Sequence, residues 1–154
     1  MRLWHQSLIP KLPRQQLLGQ HRECCALRGG GWGKPHSIVN YVFDRPISFL
    51  VAYHFLVIDE MEQRGYKVDP LWKDSSYRGK RVPRLEDKYL EPDTRVGFIM
   101  SILNLLYRAQ KGKVIYPEHD KNYLNECLDN LRNKGIIIEG GDRNGEISLL
   151  GNPE

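Results

Sequence analysis

With 154 residues, the chain is long enough to bury a hydrophobic core, and we expect one domain over residues 1–154. Its 40% hydrophobic and 27% charged residues are ordinary for a soluble globular protein, and its longest apolar run, residues 47–58, is too short to cross a bilayer, which excludes a membrane-spanning protein. The net charge of +4 favours an anionic partner such as nucleic acid.

The cysteines and the first residues indicate the cellular compartment. There are three cysteines, and two of them, Cys24 and Cys25, are adjacent and poorly placed to bridge each other within a helix. An odd number without framework spacing is typical of a reducing compartment. Because residues 1–7 lack the apolar segment of a signal peptide, we expect a cytoplasmic protein.

The first helix is predicted over residues 13–29, from a proline suited to a first turn to a run of glycines. Glu23 is predicted to point away from the core, with Gly19 one turn before it and Ala26 one turn after it, which leaves room for a bulky group. Arg22 lies beside it, so an ordinary solvated Arg-Glu pair is the alternative. The face assigned to the core holds Leu17, Leu18, His21, Cys24 and Cys25.

The segments on either side of this helix carry weaker signals. Residues 1–12 are too apolar for a free tail and are predicted to pack down through Leu3, Trp4, Leu8 and Ile9. Four glycines among residues 29–33, followed by Lys34, predict a loop that either binds a phosphate or is a plain connection. Residues 37–43 alternate loosely and are predicted to be extended.

Three further helices are predicted. The second begins at Pro46, runs to Arg64 and stops at Gly65; it is apolar nearly all round, with His54 as a core histidine. The fourth is predicted from about residue 117 to residue 135. The third spans residues 93–110, with a core stripe made of Val96, Ile99, Met100, Leu103 and Leu106.

The carboxyl-terminal residues predict a β-hairpin, with strands at 136–139 and 146–150 around a glycine-rich turn. A hairpin after two helices resembles the wing of a winged-helix domain, a second indication of nucleic-acid binding. The predicted fold class is therefore mainly α, a compact helical domain of about four helices with a small β-hairpin at the end.

A basic loop is predicted over residues 75–84. It carries no acid and has two aromatic neighbours, Trp72 and Tyr77, a combination that suits phosphates and unstacked bases, although a solvated loop is the alternative. Its cations are Arg78, Lys80, Arg81 and Arg84.

Metal and cofactor chemistry find little support. His21, Cys24 and Cys25 share a helix face, but no second Cys/His pair completes a zinc site, and His119 and Cys127 lie far along the chain. Since no hydrolase motif is present either, we expect neither a metal nor a cofactor.

Three blocks, taken in order, carry a family resemblance. The first is Met1-Arg2-Leu3 with Leu17 and the Arg22-Glu23 pair, the second is Phe49-Leu50 with residues 58–69, and the third is residues 77–83. Together they resemble the pyrimidine-dimer DNA glycosylases, the family of the phage endonuclease V, and in particular its bacterial branch. The resemblance implies a glycosylase-like core over residues 1–90, with residues 91–154 as additional helices and the hairpin.

The resemblance also implies a reaction. In this family the α-amine of the chain attacks the anomeric carbon of the damaged nucleotide, displaces the base and forms an imine, and a glutamate of the first helix assists ring opening and β-elimination. Here the amine belongs to Met1 and the glutamate is Glu23. An α-amine suits this role because its pKa is about 8, so that a useful fraction is neutral near pH 7.

Binding residues follow from the same resemblance. Arg22 matches a family arginine that contacts DNA and helps shape the site, so the resemblance places it in the catalytic group with Met1 and Glu23. Arg2 matches the residue after the nucleophile, and Ala26 replaces a further family arginine for which Arg28 is the candidate substitute. The expected partner is double-stranded DNA with damaged bases, bound by a monomer. The implied DNA contacts are Arg2, Arg28, Lys34, Arg78, Lys80, Arg81 and Arg84.

Two alternatives remain open. One is a non-catalytic DNA-binding protein that uses the basic loop and the hairpin. The other keeps the glycosylase and lyase chemistry but acts on a different modified base.

Overall fold

A computed structural model describes residues 3–30, 40–85 and 95–138 of the chain. Within these ranges, two short 3-10 helices, Gln6–Lys11 and Pro70–Lys73, accompany the α-helices. The α-helices of the described residues are α1 (Arg14–Arg28), α2 (Asn40–Asp44), α3 (Ile47–Gln63), α4 (Arg95–Gln110) and α5 (Lys121–Asn133).

The N-terminal segment, residues 3–12, packs against the body of the protein as predicted. Leu3 and Leu8 are completely buried, and Trp4 and Ile9 are nearly so. His5 caps the first 3-10 helix, since its ring Nδ1 accepts a hydrogen bond from the Ser7 backbone N–H. The burial of four apolar side chains over so short a stretch stabilises a chain end that would otherwise fray.

Helix α1 begins after Pro13 and ends at Gly29, as predicted, but its buried face is rotated. Leu18, His21 and Cys25 are only half-buried, because they lie at the edge of that face. Glu23, predicted to point away from the core, is half-buried at the opposite edge. A pattern of apolar residues misses the true face because two of its members are polar; the buried residues are Leu17, Gln20, Cys24, Leu27 and Arg28.

Helix α3 occupies the centre of the fold. It begins after Pro46 and gives way at Gly65, whose φ of +87° is open to glycine and strained for other residues. Both ends agree with the prediction, and α3 packs against α1, α4 and the N-terminal segment. The predicted extended stretch at 37–43 is wrong for residues 40–43, which belong to α2; residues 37–39 lie outside the described ranges.

Helix α4 has the predicted end, but it packs through a different face. Phe98, Ile102 and Leu105 are buried, whereas the predicted core residues Val96 and Leu103 are 70% and 55% exposed. The helix carries two apolar stripes of similar spacing, so periodicity alone cannot select the one that faces α3. Of the predicted stripe, only Leu106 packs against the core; Val96, Ile99, Met100 and Leu103 are exposed.

Helix α5 ends before Gly135, as predicted for the fourth helix, but it begins at Lys121 and not near residue 117. Asp120 sets this start, because its side chain caps the first turn by accepting a hydrogen bond from the Tyr123 backbone N–H. The predicted β-hairpin is not supported. Residues 136–138 form no strand, nor do any other described residues, and residues 139–154 lie outside the described ranges. None of the described helices is both long enough and apolar enough to cross a membrane.

The facing of α4 is testable with two adjacent substitutions. Ile102→Ala should lower the free energy of unfolding by about 2–4 kcal/mol, because it opens a cavity against α3. Leu103→Ala should change it by less than about 1 kcal/mol, since that side chain is mostly exposed. Urea unfolding of both variants measures the difference, and equal losses would show that the Leu103 face is covered.

Candidate active site and nucleic-acid interface

Glu23 is tied to the N-terminal segment through one buried side chain, that of Gln20. The Gln20 amide Nε2 donates to Glu23 Oε1 at 3.0 Å. At its other end, Gln20 Oε1 accepts from the Trp4 backbone N–H at 2.7 Å. The Tyr53 hydroxyl of α3 lies 2.8 Å from the same oxygen and 2.6 Å from Trp4 O, and its single proton is available to either acceptor. The Glu23 carboxylate is thereby linked through Gln20 to the backbone at Trp4.

The other members of the predicted catalytic group are placed as follows. Met1 and Arg2 lie outside the described residues. Arg22 is exposed, and Ala26 is half-buried. A Cβ added at Gly19 would meet an Arg22 guanidinium nitrogen at 3.7 Å, an ordinary contact, so the space beside Gly19 is bordered by a mobile side chain and not by backbone.

Arg28 is not on the surface. Its side chain is 1% exposed and lies over the Trp72 ring, with the guanidinium carbon 5.1 Å from the ring centroid. Its guanidinium donates to three backbone carbonyls, those of Trp72 at 2.9 Å, Asp74 at 2.7 Å and Tyr77 at 3.0 Å. Arg28 therefore holds residues 72–77, which lead into the basic loop, against α1. Because its side chain is buried there, it is not exposed to DNA.

The basic loop, residues 75–84, docks on the end of α1. Arg78 Nε donates to Arg28 O at 2.9 Å, a favourable position for a cation because carbonyls accumulate at a helix C-terminus. The approach is so close that a Cβ at Gly29 would lie 3.0 Å from Arg78 O. Glycine is therefore the residue that fits at this position.

The cations of the basic loop differ in their availability. Arg84 forms an ion pair with Asp74 and lies over the Tyr77 ring. Burial alone would raise the pKa of the Asp74 carboxyl. Hydrogen bonds from Ser76 and the Arg84 cation outweigh burial, so the pKa of Asp74 is lowered. Lys80 and Arg81 are exposed and form no ion pair with the described residues. Lys34 lies outside the described ranges.

Two histidines and a cysteine meet between α1 and α3. His21 Nδ1 lies 2.8 Å from His54 Nε2, and the Cys25 sulfur is 3.8 Å from His21 Nε2 and 4.0 Å from His54 Nε2. One ligand atom from each of the three residues lies within 4.8 Å of the other two, which is close enough for the three to bind one metal ion.

The hydrogen-bond directions oppose a cation at this cluster. Arg28 Nη1 lies 3.1 Å from His54 Nδ1 and can only donate, so Nδ1 accepts and the proton of the neutral ring is on Nε2. His54 Nε2–H then donates to His21 Nδ1, which leaves no lone pair on Nε2 for a metal. Burial also raises the pKa of the Cys25 thiol to about 12, and the Arg28 cation adjoins the cluster.

Burial keeps the described histidines neutral. It lowers the pKa of His5 to about 4, and it also lowers the pKa values of His21, His54 and His119. The Arg28 cation contributes to the effect on His54, and His5 to that on His119. At His5 the Asp120 carboxylate acts to raise the pKa, but the loss of water on burial outweighs it.

Sequence reasoning missed the residues that connect these parts. Gln20 is three residues before Glu23 on the same helix, so the spacing offered a signal for this pair. Tyr53 and Tyr123 contact the N-terminal segment from 49 and 120 residues away along the chain, and no local pattern predicts such contacts.

Comparison with known proteins bears on residues 1–74, which match the family model for pyrimidine dimer DNA glycosylases. The match covers slightly under half of the chain. The first two sequence blocks of the resemblance lie inside it, and the block at 77–83 lies beyond it. Comparisons with curated proteins and with solved structures give no match. This part of the chain is thus similar to a DNA repair glycosylase; the bacterial branch stays a prediction.

The neutral histidines predict a pH dependence of stability. In the unfolded chain each histidine binds a proton below about pH 6.5, whereas the folded protein resists protonation, so the free energy of unfolding falls as the pH drops. Each such histidine contributes up to about 1.4 kcal/mol per pH unit. Urea unfolding between about pH 7 and about pH 5 measures the loss, and a flat profile would contradict the neutral rings.

Proposed function

We propose that the chain is a DNA glycosylase with coupled AP lyase activity, which acts on pyrimidine dimers in double-stranded DNA through the α-amine of Met1. The observation that carries the proposal is the Gln20 bridge, which joins Glu23 to the backbone of the N-terminal segment. The family match over residues 1–74 supports the same class of enzyme.

The bridge supports this chemistry because the reaction needs an amine and a carboxylate side by side. Leu3 is completely buried, and Met1 lies two residues before it. Two residues reach at most about 7 Å, so the position of Leu3 limits where the Met1 amine can be. Trp4, the next residue, is bonded to the same Gln20 side chain that holds the Glu23 carboxylate.

The proposed reaction balances without a metal or a redox cofactor. The lone pair of the neutral amine attacks C1′, the bond from C1′ to the base breaks, and the base leaves with the bonding pair and takes up a proton. Loss of a proton from nitrogen and opening of the C1′–O4′ bond then give an imine, with the proton delivered to O4′. Removal of a C2′ proton expels the 3′ phosphate, and water finally releases the amine.

Glu23 is proposed to handle the protons of the later steps. A carboxylate near the imine can deliver a proton to O4′ and remove one from C2′. The hydrogen bond from Gln20 Nε2 to one of its oxygens fixes the position of this carboxylate relative to the N-terminal segment.

DNA contact is proposed for the exposed cations around this site. Arg22 lies next to Glu23, while Lys80 and Arg81 extend from the basic loop. Arg78, Arg84, Arg2 and Lys34 are proposed as further contacts, and Arg28 is left out because it is buried. Extrusion of a base costs a few kcal/mol, less at a damaged, poorly stacked site, which supplies part of the selectivity.

Borohydride trapping tests the mechanism. On duplex DNA with a pyrimidine dimer, the wild-type protein should give a covalent adduct whose linked residue maps to Met1. Glu23→Gln keeps the hydrogen bond from Gln20 but removes the acid, so strand cleavage should fall by at least about 100-fold. Glu62→Gln, an exposed position on α3, is the control and should cleave like wild type.

The same assay separates the alternatives. A non-catalytic DNA-binding protein gives no adduct and is indifferent to an uncleaved N-terminal tag, whereas the tag should abolish an amine-dependent reaction. An adduct that forms only on other modified bases in a substrate panel would identify the second alternative. Full activity of the tagged protein would rule out the α-amine mechanism.

Salt dependence tests the basic loop. Each phosphate contact that is lost should reduce the slope of log affinity against log salt by about 0.9. The double variant Lys80→Gln, Arg81→Gln should therefore reduce the slope by about 1 to 2 for any duplex sequence. Arg108→Gln with Lys111→Gln removes the same charges from the end of α4 and should leave the slope near wild type; equal effects of the two pairs would assign the loss to net charge alone.

A further inference from the structure

Three residues beyond the family match, at positions 115, 119 and 123, form hydrogen bonds with the N-terminal segment. The Tyr123 hydroxyl of α5 donates to Leu3 O. The Gln6 backbone N–H donates to His119 Nδ1 at 3.0 Å, and the Gln6 side chain accepts from Ile115 N at 2.7 Å. These partners are 109 to 120 residues away along the chain and lie outside residues 1–74.

The orientation of His119 is itself fixed. Its Nδ1 accepts from Gln6, so the proton of the neutral ring is on Nε2, which lies 2.7 Å from the Tyr41 hydroxyl and donates to it. The His119 ring packs against the rings of His5 and Tyr123, with centroid distances of 5.4 and 5.2 Å, and these two rings are 6.5 Å from each other. A ring held at both nitrogens and packed against two other rings is a rigid support.

The opposite side of the segment is held from within the family match. Gln20 accepts from Trp4 N–H, and Trp4 O lies within hydrogen-bond distance of the Tyr53 hydroxyl. Four backbone groups between Leu3 and Gln6 therefore have partners on two sides. Such complete fixation is unusual so close to a chain end.

We propose that Tyr123 is a positioning residue, which holds Leu3 so that the α-amine two residues earlier meets the sugar carbon in a reactive orientation; the proposal rests on the proposed function above. Of the four backbone groups named above, it holds the one that lies nearest to Met1 along the chain. Correct placement of reacting groups contributes strongly to rate, and a displacement of about 1 Å costs up to about 100-fold. The helices beyond the family match thus complete the active site without touching the substrate.

A matched pair of variants tests the proposal. Tyr123→Phe removes the hydroxyl bond to Leu3 and keeps the stacked ring, while Tyr107→Phe removes a hydroxyl from an exposed ring of α4. Under single-turnover conditions with saturating DNA, Tyr123→Phe should slow imine trapping by about 10-fold or more, with DNA affinity within about 2-fold of wild type. Tyr107→Phe should match wild type in both.

The possible results distinguish the proposed function from the positioning role of Tyr123. A wild-type protein that gives no adduct on any damaged duplex overturns the proposed function and this inference with it. A wild-type adduct with equal trapping rates in both variants, normalised to folded protein, overturns the positioning role alone. A purely structural role would lower the melting temperature and leave the rate per folded molecule unchanged.

A measurement on the wild-type protein covers the case in which Tyr123→Phe does not fold. The amides of Trp4 and Gln6 should resist hydrogen exchange about as strongly as the amides of α3, since their partners belong to the core. Exchange as fast as that of a free tail would show that the segment is not anchored and would overturn the proposal.

Discussion

The architecture depends on one buried amide, the side chain of Gln20. Buried polar groups are costly unless they find hydrogen-bond partners, and the position of Gln20 on the core face of α1 therefore demands specific neighbours. Trp4 and Glu23 are those neighbours. The same requirement that stabilises the fold thus sets the position of Trp4 relative to the Glu23 carboxylate.

Helix α1 carries a second buried polar side chain, Arg28, eight residues after Gln20. Gln20 holds the N-terminal segment through the Trp4 backbone, and Arg28 holds the start of the basic loop through the carbonyls of Trp72 and Tyr77. Helix α3, apolar around most of its surface, supplies the packing against which both can be buried. One helix thereby relates the N-terminal segment to the surface proposed to bind DNA.

The sequence predicts the ends of the long helices well, because prolines and glycines mark them. Pro13 and Pro46 precede helices, and Gly65 and Gly135 follow them at positive φ. The facing of α1 and α4 was wrong for two different physical reasons. In α1 polar residues belong to the buried face, and in α4 two equivalent apolar stripes compete for one partner.

In the candidate site, Glu23 was predicted from the sequence through the family resemblance. The side chains that hold the N-terminal segment beside it were not predicted. The contacts of Tyr123 and His119 with the N-terminal segment join opposite ends of the chain, and only the folded packing brings them together. Arg28 was predicted to contact DNA from the surface, because arginines are mostly exposed. The prediction is wrong, because the Arg28 guanidinium is buried and donates to three backbone carbonyls.

The fixation of the first residues by α5 sets an order of events during synthesis. A chain made from its amino end exposes Leu3 and Gln6 to solvent first, and their partners at residues 115–123 emerge only after most of the protein has been made. Contacts of such long sequence separation also form late in folding, since loop closure opposes them. A nascent or truncated chain that ends at residue 74 contains Gln20 and Tyr53, which contact the segment on one side, but it lacks the partners at residues 115–123. The segment can be held on both sides only after residues 115–123 have been made.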